Sequence, residues 1–294
     1  MDSTVRQARL DDADDVVAFT EDVWADRPET VDYIPDVFTE WVESDGPDQR
    51  TVVADVDGAA VGLCQGVMLT DEEAWLQGMR VAPDYRGEGL ATAMVQRCFG
   101  WAADRGATVG RAMVFSWNDA GLGQAVTAGF EPETAFRFVH PEPDPDADPD
   151  APVAPDPAAA WRYWTTSDAR THLSGLALDP YQPWALSELT RDRLADAETV
   201  FAVGGDGTTG MACRTGTTSD PSGEGPLAEY AVGAWADRAA AAALFDAIRV
   251  DAAELGVERT RVLVPETARH VAAAAAARAE PADWPDFVLS ADLT

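Results

Sequence analysis

Residues 75–97, WLQGMRVAPDYRGEGLATAMVQR, hold the side chains and spacing that could bind a phosphate. The pattern reads as a strand ending at Val81, a loop over 82–89 and a helix opening near Leu90. Such a loop leaves backbone N–H groups free and aims a helix dipole at one point, which makes an anion site. Gly87 and Gly89 accept positive φ and let the backbone approach an anion closely. Arg86 adds a fixed, forked cation. Residues 77–97 carry Arg80, Arg86 and Arg97 against Asp84 and Glu88, a local excess of +1 in a chain of formal net charge −31.

That charge has its own cause. The 294 residues include 52 Asp+Glu and 21 basic residues, all Arg, with acid spread over both halves. Hydrophobic residues make up 46%, so the chain can bury real cores and is no solvated acidic tail. Globular composition, many carboxylates and absent Lys read as adaptation to molar salt. Self-repulsion is screened there within about 3 Å, so most acidic clusters are surface solvation. A chain this acidic disfavours a nucleic-acid partner. No apolar run of about 18 residues suggests a membrane span, and MDSTVRQARLDDADD lacks the order of a secretory signal. Cys64, Cys98 and Cys213 are sparse and unclustered, as are His140, His172 and His270. No metal site is expected, and the thiols fit a reducing, cytoplasmic location.

The elements that must position the loop can be read around it. A strand at 4–9 leads to a helix over 12–23 and a poorly periodic helical stretch over 28–44. A hairpin covers 51–70 with Asp57-Gly58 as its turn, and a strand at 74–81 precedes the loop. Helix 90–104 places Leu90, Met94, Cys98 and Trp101 on one apolar stripe, ending at a cap near Gly106. A strand at 108–115, a short helix near 119–128 and a strand near 133–139 complete the set. Residues 141–157 hold seven prolines and six acids and read as an extended linker. Beyond it the pattern repeats in order: 161–169 echoes 5–13, 201–213 echoes 52–64 with Asp206-Gly207 as turn, and 253–264 echoes 103–114.

The segment VAPDYRGEGLA resembles the signature of the GNAT family of N-acetyltransferases, Arg/Gln-x-x-Gly-x-Gly/Ala, filled here by Arg86, Gly89 and Ala91. VFSWNDAGLGQAVTAGFEP (114–132) is similar to that family's second cofactor segment, with Asn118 before its short helix and Gly129-Phe130 at its end. The resemblance covers residues 4–139. It implies an α/β (α+β) fold of two tandem GNAT-like domains, each a central mixed, mostly antiparallel sheet flanked by helices. The expected domains are 1–140, which binds acetyl-CoA, an acidic Pro-rich linker at 141–157, and 158–294, a degenerate copy.

The resemblance also implies acetyl-CoA as co-substrate. Backbone amides of Arg86, Gly87, Glu88, Gly89, Leu90, Ala91 and Thr92 would hold the pyrophosphate, and Met79, Arg80 and Val81 would pair with the pantetheine arm. A main-chain N–H near these residues would polarise the thioester carbonyl, and Asn118 would lie beside the arm or the acceptor, or serve as a plain helix N-cap. The reaction implied is direct attack by a primary amine of a small molecule or peptide in a ternary complex, which needs a base directly or through water. Glu72 and Glu73 stand where some members carry one, with salt-adapted surface as the bland reading. Where many members have a Tyr acid this chain has Ala125, and where some have a Glu it has Met113, leaving Tyr33 or Ser116 as unselected candidates for thiolate protonation.

The acceptor pocket would draw on Trp24, Tyr33, Phe38 and Trp41 among Asp22, Asp26, Glu29 and Asp32, a set suited to a cationic amine or simply to a core with acidic surface. In the second half the matching loop is ADRAAAA, with no glycine, so this copy is expected to keep the fold without binding CoA and to support the first copy or a homodimer. Two other functions stay open: acylation of an amine on a thiol metabolite, and a non-catalytic acetyl-CoA sensor or interaction module.

Overall fold

The apolar run 52–64 closes as a hairpin. Strands β2 (Gln49–Val56) and β3 (Ala59–Met68) pair antiparallel around Asp57 and Gly58, at φ 53° and 94°. Both central residues at positive φ match the turn an Asp-Gly pair favours. The computed structural model describes residues 3–21, 23, 32–205, 207–219 and 225–294. The chain divides into two units, neither continuous in sequence. Unit 1 comprises Met1–Val114, Asn118–Pro132 and Leu289–Thr294, and unit 2 comprises Phe115–Trp117 and Glu133–Val288.

Unit 1 contains β1 (Ser3–Gln7), α1 (Ala13–Thr20), α2 (Ile34–Glu43), β2, β3, β4 (Glu73–Val81), α3 (Leu90–Ala103), β5 (Val109–Phe115, its last residue in unit 2) and α4 (Asp119–Thr127). The strands run β1-β2-β3-β4 antiparallel, and β5 joins parallel to β4 after the α3 crossover. Helix α3 buries the stripe read from its sequence: Leu90, Met94, Cys98 and Trp101 keep 6% or less of their surface. The other face of the sheet packs Val53 and Leu63 against Val16 of α1 and Ile34 and Phe38 of α2. Gly106 follows α3 at φ 100°. The C-terminal residues also belong here, where the Leu293 amide donates to Thr108 O.

Unit 2 holds most of β6 (Glu131–His140), then β7 (Val153–Ala154), α5 (Pro157–Trp164), α6 (Asp168–His172), β8 (Leu176–Leu178), β9 (Leu186–Glu188) and α7 (Arg191–Ala195). It continues with β10 (Thr199–Val203), β11 (Gly210–Ser219), β12 (Pro226–Trp235), α8 (Arg238–Leu255), β13 (Arg259–Pro265), α9 (Ala268–Ala276), β14 (Glu280–Pro281) and the start of β15 (Asp286–Asp292). Its pairings repeat the plan of unit 1. β7-β10-β11-β12 is antiparallel, β13 joins parallel to β12 after the α8 crossover, and β6 closes the order antiparallel to β13. Each unit is thus a mixed, mostly antiparallel sheet flanked by helices.

Two readings of the sequence need correction. Residues 161–164 are the end of a helix instead of a strand. Asp156 caps it by accepting from the Ala159 amide, and Pro157 stands at its first position, where a missing N–H costs nothing. The strand that plays the part of β1 is the short β7, inside the Pro-rich segment. That segment is tied to unit 2 along its length, through the Asp144 amide on Arg249 O, the Thr260 hydroxyl on Pro141 O and the β7–β10 pairing. The expected turn residue Asp206 lies outside the described residues. No helix among the described residues is long and apolar enough to cross a membrane.

Candidate active site

Strand β4 departs from its neighbours on both sides. Its parallel pairing with β5 ends at Trp75 opposite Arg111, so residues 76–81 have no rung on that side and the two strands part. Against β3 the register runs Gln65↔Gln77 and then Leu63↔Arg80, so Gly78 and Met79 together oppose Cys64. This is a β-bulge, which re-aims backbone groups. Gly78 carries it at φ 68°, and a Cβ there would sit 2.6 Å from the Trp41 ring. A glycine is required both by the conformation and by the approach of α2. The strand continues through Arg80 and Val81 into the loop.

The loop is a short 3-10 turn over Pro83–Tyr85, closed by the Arg86 amide on Pro83 O. Gly87 and Gly89 adopt φ 84° and 78°, and added Cβ atoms would find nothing within 4 Å. The loop's inner surface is therefore open. Gly89 is the N-cap of α3 and offers no side-chain cap, and no acid stands in the first turn. Among the described residues no acceptor meets the amides of Gly87, Glu88, Gly89, Leu90, Ala91 or Thr92. Helices α4 to α9 are all closed differently: the side chains of Asn118, Asp156, Ser167, Thr190, Asp237 and Thr267 cap them. The α3 N-terminus is thus a cluster of exposed donors at the positive end of a 14-residue helix. Arg86 is exposed beside it, its Nε 3.2 Å from Val81 O.

The other candidates fall at different places. Asn118 caps α4, its Oδ1 accepting from the Gly121 amide at 2.9 Å, which is the plain structural role open to it. Glu72 is exposed in the turn before β4, and Glu73 begins the strand with its carboxylate 2.6 Å from the Arg111 guanidinium. Six strand residues, about 20 Å, separate Glu73 from the bulge at Met79. The structure does not bring Glu72 or Glu73 to the loop. Tyr33 is nearer: its ring lies 5.8 Å from the Arg80 guanidinium and 6.1 Å, edge-on, from Trp41. Tyr33 keeps 39% of its surface, and the burial of the remainder pushes its phenol pKa up, with the Arg80 charge opposing, so the hydroxyl is protonated at neutral pH.

Of the expected acceptor residues, Asp22, Trp24, Asp26 and Glu29 lie outside the described residues. Phe38 is core at 1% exposure, and Trp41 packs on the bulge. Asp32 takes two bonds from Arg80, at 2.8 and 3.3 Å, so its charge is already matched. Ala125 is buried in α4 at 4% exposure. Ser116 follows β5 within unit 2, its amide on Pro285 O and its hydroxyl buried with no partner among the described residues. Sequence reasoning missed Gly78, although a glycine inside a strand is itself a bulge signal. It also missed the polar side chains of Thr51, Gln65 and Gln77, which hydrogen-bond to one another across three strands. Among the described residues no three side chains form a metal-ligating group.

In unit 2 the matching strand, loop and helix are β12, residues 236–237 and α8. Here Asp237 accepts from the Ala240 amide at 2.9 Å, so a carboxylate of the chain itself occupies the helix N-terminus. Arg269 donates to the Trp235 and Ala236 carbonyls and pairs with Asp168.

Residues 15–123 match the model of the acetyltransferase (GNAT) family. A histidine N-acetyltransferase from Oreochromis niloticus is 28% identical over 92 residues, which is 31% of this chain and 26% of that protein. The chain therefore spans about a quarter of that relative's length. A GCN5-related N-acetyltransferase from Sphaerobacter thermophilus superposes with a TM-score of 0.64 at 14% identity, over 99% of this chain and 96% of that one. A putative acetyltransferase from Thermoplasma acidophilum gives 0.59 at 18% identity, over 98% and 99%. Both are likenesses of fold and extend over both units. The stretch that is similar to the acetyltransferase (GNAT) family model, residues 15–123, holds the bulged strand, the open loop and the helix behind it.

Proposed function

We propose that unit 1 transfers the acetyl group of acetyl-CoA to a primary amine by direct attack. The observation that carries the reading is the set of unshared amides at residues 87–92, standing beyond two positive-φ glycines at the uncapped end of α3. A diphosphate satisfies all of these donors at once and complements the helix dipole. The unpaired edge of β4 suits an extended arm with amide groups of its own, which would add as a strand beside Met79, Arg80 and Val81. The bulge turns a backbone N–H out of the ladder, where it can polarise a thioester carbonyl.

In this reading the amine nitrogen attacks the carbonyl carbon, the C–S bond breaks, and the nitrogen's proton leaves to water. Tyr33 is the candidate that donates to the departing thiolate, since its phenol is held protonated near the bulge. Glu73, paired with Arg111, is assigned to holding β4 and β5 together at their joined end. The relative that acts on histidine makes an amino-acid α-amine the first acceptor class to test. Unit 2 is read as a copy whose phosphate loop is filled by Asp237 and sealed by Arg269, so it holds no cofactor.

One observation favours a second reading, a non-catalytic acetyl-CoA sensor: Ala125 is buried where the resemblance expects a tyrosine acid. Calorimetry with acetyl-CoA in molar KCl, followed by thiol release with L-histidine, spermidine and a peptide amine, separates the two. We expect one acetyl-CoA per chain and turnover with at least one amine. Binding without turnover supports the sensor, and binding of two equivalents overturns the assignment of unit 2. Gly89→Val removes the positive-φ cap and is expected to abolish acetyl-CoA binding at a cost of about 1–2 kcal/mol in fold stability. Unchanged affinity in this variant sinks the loop assignment.

A further inference from the structure

Residues 78 and 79 of β4 belong to no rung. The register on β3 passes from Gln77 to Arg80, and the pairing with β5 has already ended at Trp75. The bulged backbone is held instead by a side chain. Arg80 Nη1 donates to Met79 O at 3.1 Å, while its Nε and Nη2 donate to the Asp32 carboxylate at 2.8 and 3.3 Å. Asp32 is buried, and its Oδ1 also accepts from the amide of Ile34, the first residue of α2, at 3.1 Å. Helix α2 therefore grips the bulge twice, by the Trp41 ring packed on Gly78 and by this chain of hydrogen bonds.

The grip sets a direction. The Ala82 amide donates to Val61 O, and hydrogen-bonded pairs alternate along an antiparallel ladder, so Arg80 and Leu63 form the next such pair. The Arg80 N–H therefore points at β3. In a trans peptide the carbonyl lies opposite, so Met79 O points to the side that β5 has left. There the guanidinium supplies the donor that a neighbouring strand would otherwise supply. Gly78, with no Cβ and at φ 68°, imposes little direction of its own. Its amide and that of Met79 are fixed between Gln77, paired with Gln65, and the held Met79–Arg80 peptide.

We infer that Asp32, acting through Arg80, fixes the bulged peptides of β4 so that the N–H turned out of the ladder stays aimed at the thioester carbonyl. This rests on the acetyltransferase reading of unit 1. As the amine nitrogen bonds to the carbonyl carbon, negative charge grows on the carbonyl oxygen. A donor already in line stabilises that charge without reorganising, whereas a peptide free to rotate spends part of its time off line. Asp32 and Arg80 are then positioning residues, and the backbone makes the contact. Their charges match each other, so the pair acts through direction and adds little net field at the oxygen.

The test compares Asp32→Asn, which replaces one accepting oxygen by a donor, with Arg80→Lys, which keeps the charge and loses the fork. Using the full chain and the best amine of the panel, both are expected to lower kcat about tenfold and to leave the acetyl-CoA Kd within about twofold. The double variant should be no slower than the slower single one, since both break one chain of contacts. An Arg80→Lys variant near wild type, with a faster Asp32→Asn, would show that charge governs the site and would overturn the inference. Infrared spectra of acetyl-CoA carrying carbon-13 at the thioester carbonyl separate aim from mere stability. The bound C=O stretch should lie below that of the free thioester in wild type and move back toward it in both variants. A stretch unchanged by the variants rejects the inference. This readout needs no turnover, so a protein that binds acetyl-CoA and acetylates no amine loses the acetyltransferase reading while the aim of the N–H is still decided. Without any ligand, carbon-13 carbonyl Met and nitrogen-15 Arg labels isolate one NMR signal, because Met79-Arg80 is the single Met-Arg step in the chain. Asp32→Asn should shift that carbonyl resonance, and an unmoved signal rejects the grip itself.

Discussion

Single residues decide most of what β4 can do. Gly78 is held at φ 68° with the Trp41 ring 2.6 Å from where a Cβ would stand. The bulge therefore depends on the absence of one methyl group. Gly78→Ala should push α2 from the sheet, with a loss of about 1–3 kcal/mol in chemical unfolding and loss of turnover. An alanine variant of full stability and activity would show that the bulge tolerates the shift and is not tightly set. Gly87 and Gly89 differ in kind, because space around them is open and only the backbone conformation restricts them. Their glycine pair was legible from the sequence, as was Arg86. Gly78 was equally present in the sequence, but its meaning depends on Trp41, which lies 37 positions earlier in the chain. The pairing of Arg80 with Asp32 was hidden for the same reason.

At the scale of elements, α3 and α8 are the instructive pair. Both follow a strand, and both make the crossover to a parallel neighbour. They differ at the first turn, where α3 offers bare amides and α8 is capped by Asp237. Asp237→Ala should cost about 1 kcal/mol, the usual value of an N-cap, and leave acetyl-CoA binding at one per chain in calorimetry. A second equivalent bound by this variant would mean that the capping carboxylate alone keeps unit 2 empty. The element boundaries around the loop were readable because period and caps agreed, as in the Leu90, Met94, Cys98 and Trp101 stripe. At the start of unit 2 the prolines and acids read as a linker in sequence. Asp156 and Pro157 are also a helix start, and composition alone does not separate the two.

For the whole molecule, charge is the dominant sequence feature and buried titration its structural counterpart. The Asp286 carboxyl is 7% exposed, and burial pushes its pKa up to about 7 against the opposing charges of Arg137 and Arg261. The folded chain thus holds a proton that the unfolded chain releases near pH 4, and stability falls as pH rises from about 4 to 7. His270 is fully buried, and its pKa is lowered to about 4, chiefly by burial. The unfolded chain takes up that proton first, so stability falls as pH drops from about 6.5 to 4. The two effects oppose each other over the same window. Urea unfolding in molar KCl should therefore vary little with pH between about 4.5 and 6.5. Asp286→Asn should remove the alkaline loss and add stability of at most about 4 kcal/mol near pH 7.5. His270→Gln should remove the acid loss. If neither variant changes the slope, the two buried groups are not what governs the pH response.

The amino-acid order by itself determined the strand–loop–helix, its glycines and its arginine, because these act through local conformation and through a dipole that every helix has. It also marked the loop of the second half as lacking glycine. Tertiary structure alone decided the splay of β4 from β5, the bulge at Gly78 and Met79, and the hydrogen bonds that join Thr51, Gln65 and Gln77. It also decided that the last six residues, Leu289–Thr294, return to the first unit. Each of these joins residues far apart in the chain. Hydrogen bonding and packing between strands are set by register across the sheet, and register is a property of pairs of segments, which no single segment records.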